Sequence, residues 1–166
     1  MLQKTTLVDM PYVLTLYHQA TEDLAKANVD QWQNNYPNQK SLQADIDLGL
    51  SYVLKKDGVI VGTSALIWDG DSDYQIIHDG SWLNNQPYLT IHRIVVERSY
   101  KKTGISHLLM EAISALAKEN NFHNIRIDTH QDNLTMQGFL KKEGFVYCGV
   151  VYVRQQDKRL AFQKVI

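Results

Sequence analysis

The chain has 166 residues, 44% of them hydrophobic and 21% charged, which is enough for one ordinary globular core and leaves no comfortable room for a second domain. Its 17 basic and 18 acidic residues are well mixed and sum to a net charge of −1. Neither a nucleic-acid stripe nor a patch for anionic membranes is therefore expected. The single cysteine, Cys148, excludes an internal disulfide, and without an apolar run of spanning length or a signal-like leader a soluble, cytoplasmic protein with no membrane partner is expected.

In chain order, residues 1–6 are a short strand candidate. Asp9 stands as an N-cap ahead of Pro11, inside the first turn of a helix. Val13, Leu14, Leu16, Tyr17 and Ala20 form its apolar face, and the pattern continues through Leu24 and Ala27 toward Trp32. Residues 34–38, Asn-Asn-Tyr-Pro-Asn, are a turn cluster. Ser41 is then expected to cap a second short helix carrying Leu42, Ile46 and Leu50 along one side, with Gly49 weakening its end. Two strand patterns, residues 51–56 and 59–68, flank Asp57-Gly58, a dipeptide suited to a type I′ hairpin turn. Residues 74–86 are irregular, carry Trp82, and are expected to be a surface loop forming part of an acceptor site.

Residues 88–104, YLTIHRIVVERSYKKTG, join an apolar strand to a glycine turn that opens into an amphipathic helix. Leu108, Leu109, Ala112, Ile113, Leu116 and Ala117 recur at helical spacing after Ile105. The first turn of that helix directs unpaired amides and the positive end of its dipole back toward the strand end, where glycine permits close approach of a phosphate. A strand over residues 124–129, a helix over 134–143 and a terminal strand pair, 145–153 and 159–165, complete the chain. The order β-α-α-β-β-β-α-β-α-β-β, with a crossover helix between the strands starting near Tyr88 and Asn124, implies a mixed sheet in which that pair is parallel.

The run Lys101-Lys102-Thr103-Gly104-Ile105-Ser106 resembles the Q/R-x-x-G-x-G/A pyrophosphate loop of the GNAT family of N-acetyltransferases. Further on, the stretch from Asn133 through Met136, Phe139 and Leu140 to Gly144-Phe145 resembles the family's second motif, N-x-x-A-x-x-L/F-Y-x-K-x-G-F. The likeness covers the chain well from Tyr88 onward and the first half in outline. It implies an α/β fold with a mixed, mostly antiparallel sheet, a central parallel strand pair and helices on both faces, the whole chain forming one domain. It further implies acetyl-CoA as cosubstrate, and no metal is expected because His123 and His130 lack metal-ligand spacing with any cysteine. Ile94, Val95 and Val96 would offer backbone to the pantetheine arm. The residues from Lys101 to Ser106, namely Lys101, Lys102, Thr103, Gly104, Ile105 and Ser106, would hold the pyrophosphate, with Asn133 and Phe139 completing the cofactor contacts.

Acetyl transfer to an amine needs a neutral nucleophile, a polarised thioester carbonyl and a proton for the leaving thiolate. His92 shares a strand face with Thr90 and is the candidate base, because histidine titrates where an alkylammonium must be relieved of a proton. A hydrogen-bonded sheet histidine is the competing reading. The family's usual tyrosine acid corresponds to Leu140 here, so Tyr147, Tyr152 or water must fill that role. Arg93, among aliphatic strand neighbours, needs a carboxylate, and Asp128 on the next strand is its natural partner. Asn133 also serves as an ordinary helix cap, and Cys148 reads as a packing thiol, which favours direct attack over an acyl-enzyme. Trp32, Tyr36, Trp68, Trp82 and Tyr88 could line an acceptor pocket.

The resulting expectation is an acetyl-CoA-dependent acyltransferase acting on a primary amine of a small molecule or peptide. Its competitor is a catalytically inactive coenzyme-A-binding module, suggested by Leu140. A protein using the same loop for another nucleotide is disfavoured by the lack of a Walker pattern. A homodimer is compatible with this reading, although no residue marks one.

Overall fold

The computed structural model describes every residue except Asp69 and Gln155. Among the described residues, seven strands and four α-helices follow one another as β1 (Leu2–Lys4), α1 (Met10–Lys26), α2 (Gln39–Asp47), β2 (Ser51–Lys56), β3 (Val59–Ile67), β4 (Leu89–Val96), α3 (Ile105–Glu119), β5 (Asn124–Thr129), α4 (Leu134–Lys142), β6 (Val146–Val153) and β7 (Asp157–Val165). The strands form one mixed sheet in the order β1-β2-β3-β4-β5-β7-β6. β4 and β5 are parallel, as the crossover helix requires, while β1-β2, β2-β3, β5-β7 and β6-β7 are antiparallel. The α/β expectation and its parallel pair therefore hold. Among the described residues no helix is long and apolar enough to cross a membrane.

Contacts divide the chain into two units, each built from two chain segments. The first comprises Met1–Leu66 and Arg93–Ile113, and the second comprises Ile67–His92 and Ser114–Ile166. β4 and α3 pass from one to the other.

In the first unit, Met10, Val13, Leu16 and Tyr17 of α1 bury against Leu42 of α2, Val53 of β2 and Val95 of β4. The helix ends at Lys26, short of Trp32, because Asn28 takes a left-handed conformation at φ 56° and reverses the chain. Trp32, also at positive φ, turns back to meet Tyr17 edge-on, with ring centroids 6.3 Å apart. Asp9 precedes the helix but does not cap it with its side chain. Its carboxylate instead accepts from the Thr6 amide and hydroxyl, at 2.9 and 2.7 Å, and pairs with Lys55 at 2.9 Å. The cap of α2 is Asn38, one turn earlier than expected. Ser41 occupies the third helical position and completes a reciprocal capping box, its amide donating to Asn38 Oδ1 and its hydroxyl receiving the Asn38 amide. The β2–β3 turn has both Asp57 and Gly58 at positive φ, in keeping with the type I′ expectation.

In the second unit, the register β4-β5-β7 places Thr90, Arg126 and Gln163 in one row, and Asp128 beside Ala161. With His92 and Arg159 they make one sheet face unusually polar for an interior. Tyr74, Trp82, Ile77 and Tyr88 pack with Val151, Val153 and Ala161 on this side. Residues 74–86 run over the surface as expected, most of them exposed, but the segment is anchored. Tyr74 is 1% exposed, the indole of Trp82 donates to its carbonyl at 3.0 Å, and His78 exchanges two 2.8 Å backbone bonds with Val150. A Cβ on Gly80 would lie 2.0 Å from the Cys148 carbonyl oxygen, so only glycine lets the segment lie this close to β6.

Candidate active site

Arg93 sits within β4 at φ 49°, a conformation that a non-glycine strand residue adopts only when its surroundings enforce it. The enforcement comes from Asp45 of α2, whose carboxylate accepts two guanidinium bonds at 2.8 Å, and from the hydroxyl of Tyr36. Asp128 is therefore not its partner. The Thr90↔Arg126 pairing sets Asp128 on the sheet face of Thr90 and His92, and Arg93 takes its carboxylate from α2 instead.

The stretch after β4 is anchored within the first unit. Glu97 accepts from the Ser99 amide at 2.9 Å and from its hydroxyl, opening a single 3₁₀ turn over Arg98–Tyr100. These Ser99 bonds, with Gln19 adding to them, hold the Glu97 carboxyl below its ordinary value despite partial burial. Arg98 reaches Glu22 at 2.9 Å and Asp23 at 2.8 Å on α1, and Lys101 also pairs with Asp23. Lys101 is thus engaged by a carboxylate, whereas Lys102 is exposed at φ 64° and begins the turn. Thr103 binds back to the Tyr100 carbonyl, and Gly104 follows at φ 89° with open space where a side chain would stand. Ile105 is 3% exposed and roots α3 through Leu109, Ile113 and Ala117, while Leu108, expected on the buried face, is 44% exposed. The first α3 bond runs from the Leu108 amide to the Gly104 carbonyl, and amides earlier in the first turn have no intrahelical acceptor. A left-handed pair of turn residues followed by such amides is a cradle for an oxyanion of phosphate size. Ser106 is half-buried beside it. Ile94 and Val96 are partly exposed and Val95 is 7% exposed. The recorded β4–β5 ladder ends at Ile91↔Ile127, before these three residues.

In the second unit, His92 is the centre of a cluster only partly legible beforehand. Its Nε2 lies 2.5 Å from Asp71 Oδ2 and its Nδ1 lies 3.9 Å from Asp128 Oδ2. The buried Tyr74 hydroxyl donates to Asp128 Oδ2 at 2.6 Å, and Arg159 Nε stands 3.7 Å from Asp128 Oδ1. Burial, and then the negative charge of Asp128, push the Tyr74 phenol well above its ordinary range, so it stays a hydrogen-bond donor. Asp71 and Tyr74 carried no motif, since both belong to an irregular segment.

Nearby, Arg126 is 4% exposed and stacked between Trp82 and Tyr88, with its guanidinium carbon 4.1 and 3.8 Å from the ring centroids. It donates to the Asn84 carbonyl at 2.8 Å and to Gln163 Oε1 at 3.3 Å. Burial lowers its proton affinity from the usual arginine value. Trp82 and Tyr88 are thereby committed to the arginine, while Trp68 meets Phe122 edge-on at 5.4 Å. The five aromatic residues considered for an acceptor pocket are therefore divided among separate packing tasks.

Asn133 caps α4, accepting from the Met136 amide at 3.1 Å. Phe139 is partly exposed, and Leu140 is fully buried where the usual tyrosine would stand. Tyr147 and Tyr152 lie on the edge strand β6, 50% and 43% exposed, the first against Phe162 and the second edge-on to His78. Among the described residues, neither joins the His92 cluster. Cys148 is buried, and burial raises its thiol above the ordinary value, which suits packing and not nucleophilic attack.

The sequence profile of the Acetyltransferase (GNAT) family matches residues 16–145. No curated protein matches by sequence. Among solved structures, the chain is similar to a GNAT-family acetyltransferase from Streptococcus agalactiae 2603, with 31% identity over 100% of this chain and 95% of that one and a TM-score of 0.90. A GNAT-family acetyltransferase from Listeria monocytogenes shares the fold at 18% identity and a TM-score of 0.76, covering 100% of this chain and 94% of the other. A ribosomal-protein-alanine N-acetyltransferase from Brucella melitensis does so at 17% and 0.68, covering 100% and 99%. A profile match across most of the chain and a full-length structural relative above 30% identity agree with the strand–glycine turn–helix unit built by β4, residues 97–104 and α3: the chain belongs to the GNAT family of acetyltransferases.

Proposed function

We propose that this protein transfers an acetyl group from acetyl-CoA to a primary amine by direct attack, with no acyl-enzyme. The observation that carries the reading is the Lys102–Gly104 turn, whose positive φ values and open glycine lead directly into the α3 N-terminus within a chain of this family. Lys102, Thr103, Gly104, Ile105 and Ser106 would receive the pyrophosphate, with Lys101 adding charge from its pair with Asp23. Ile94, Val95 and Val96 would supply backbone to the pantetheine arm, and Asn133 and Phe139 would complete the contacts. The thioester so held supplies an activated acyl group. His92 takes the proton from the acceptor nitrogen. Tyr152 or Tyr147, or solvent water, returns a proton to the departing sulfur. The substrate-facing surface is expected to accept small amines or peptide amino groups. The fold likeness to a ribosomal-protein-alanine N-acetyltransferase motivates including N-terminal peptides in any screen.

Calorimetric titration of acetyl-CoA against the wild type and Gly104→Glu tests the first step. The carboxylate added at Gly104 would occupy the open space and repel phosphate, so binding in the wild type and at least about tenfold weaker binding in the variant are expected. A folded wild type that ignores acetyl-CoA would overturn the proposal. Binding without turnover across polyamines, amino acids and N-terminal peptides would instead favour the inactive acyl-CoA-binding module. If Tyr147→Phe and Tyr152→Phe both leave turnover unchanged, water is the proton source.

A further inference from the structure

We infer that Asp71 is a positioning residue for His92, fixing the ring with its proton on Nε2 and presenting Nδ1 as the base; this rests on the reading of His92 as the base. The imidazole has unequal sides. Nε2 makes a direct 2.5 Å contact with Asp71 Oδ2, whereas Nδ1 stands 3.9 Å from Asp128 Oδ2, too far for a hydrogen bond. An ionised carboxylate can only accept, so the neutral ring satisfies Asp71 by carrying its hydrogen on Nε2 and leaving the Nδ1 lone pair free.

Asp71 is itself held in place. Its Oδ1 accepts the Asp73 amide at 2.9 Å at the start of the 3₁₀ turn Ser72–Tyr74, and its own amide donates to the Tyr88 hydroxyl at 3.4 Å. Both members are largely withdrawn from solvent, with side-chain exposures of 21% for His92 and 15% for Asp71. On the far side, the Tyr74 hydroxyl and the Arg159 guanidinium keep the Asp128 carboxylate oriented beside Nδ1. A proton moving from the acceptor nitrogen to Nδ1 therefore creates an imidazolium with a carboxylate at each nitrogen. The neutral amine then attacks the thioester carbonyl, and the C–N bond forms as the C–S bond breaks with its electron pair leaving on sulfur. The remaining excess proton on nitrogen passes through solvent to the thiolate, and the Nδ1 proton is released to solvent. The Nε2 proton stays with the Asp71 pair throughout.

Long-range ¹H–¹⁵N spectra of the histidine rings at alkaline pH, assigned with His92→Gln, provide a readout that does not depend on turnover. The wild type is expected to show the Nε2–H tautomer. In Asp71→Asn the amide oxygen keeps the Asp73 bond and the amide nitrogen faces the ring, so the tautomer should invert. In parallel, kcat should fall about 10²-fold in Asp71→Asn while the KM for acetyl-CoA stays within about twofold, and Asp71→Glu should recover about a tenth of wild-type kcat or more. A wild-type ring in the Nδ1–H form, or an Asp71→Asn protein that keeps both tautomer and kcat, would overturn the inference. Absence of turnover with every amine would remove the acetyltransferase reading, and the tautomer in wild type and variant would still decide whether Asp71 sets the ring.

Discussion

Arg93 shows how one side chain can hold a strained backbone in place. Its left-handed φ interrupts β4 directly after His92, and the bidentate Asp45 pair with the Tyr36 hydroxyl is the compensating interaction. The side chains of Arg93 and Asp45 are only 12% and 9% exposed, so removing one leaves the other charge stranded. Asp45→Ala is expected to cost about 3 kcal/mol in urea unfolding. Combining Arg93→Met with Asp45→Leu should recover part of that loss, since neither charge then remains uncompensated. The sequence made Arg93 legible as a guanidinium needing a carboxylate, but the partner lay far along the chain on α2. Adjacency of the two strands pointed to Asp128, and nothing in the residue pattern announces the positive φ at Arg93 or the approach of α2.

Among the elements, the segment between β3 and β4 departs most from its sequence appearance. Its irregular polar pattern suggested a surface loop, and most of residues 74–86 are exposed, but nothing in the pattern announced that Tyr74 is buried, that His78 bridges to Val150, or that Trp82 and Tyr88 enclose Arg126. Two substitutions test this packing. Gly80→Ala would push a methyl group into the Cys148 carbonyl and is expected to destabilise by about 1–3 kcal/mol in denaturant titration. Arg126→Lys keeps the charge but replaces a planar stack between two rings with a compact ammonium, and a loss of about 2 kcal/mol is expected. A midpoint equal to wild type in either variant would show that the segment is not held by these contacts. By contrast, β2, β5 and the start of α3 lie where periodicity and turn residues placed them, because their signals are local: Asp57-Gly58 for the hairpin, β-branched runs for strands and Gly104 for the helix entry.

At the scale of the whole molecule, stability is expected to decline in acid through a small set of engaged carboxylates. Burial alone would raise Asp9, but hydrogen bonds from Lys55 and Thr6 outweigh it and hold the group below its ordinary 3.8. Asp23 is likewise lowered, its burial outweighed by Lys101 and Arg98, and Glu97 is lowered from 4.5 chiefly by Ser99. A folded-state value below the unfolded one means that stability is fully present above the unfolded value and lost as pH falls through the folded one. Unfolding free energy should therefore be flat above about pH 5 with respect to these groups and drop below about pH 4. Asp9→Asn should be less stable than wild type at neutral pH and show a shallower acid decline. Parallel curves for the two proteins would remove Asp9 from the set.

The sequence by itself determined the element order, the parallel β4–β5 pair and the glycine turn into α3, since each is written in residues close together in the chain: apolar periodicity, a crossover helix of sufficient length, and a glycine before an amphipathic helix. It also singled out His92 by chemistry alone. Only the tertiary structure decided what surrounds that histidine. Asp71 and Tyr74 come from the β3–β4 connection and Asp128 from β5, and they meet because that connection folds over one polar sheet face. Pairings of that kind depend on which distant carboxylate is brought within a few ångströms, a property of chain path and strand register that local residue pattern does not encode.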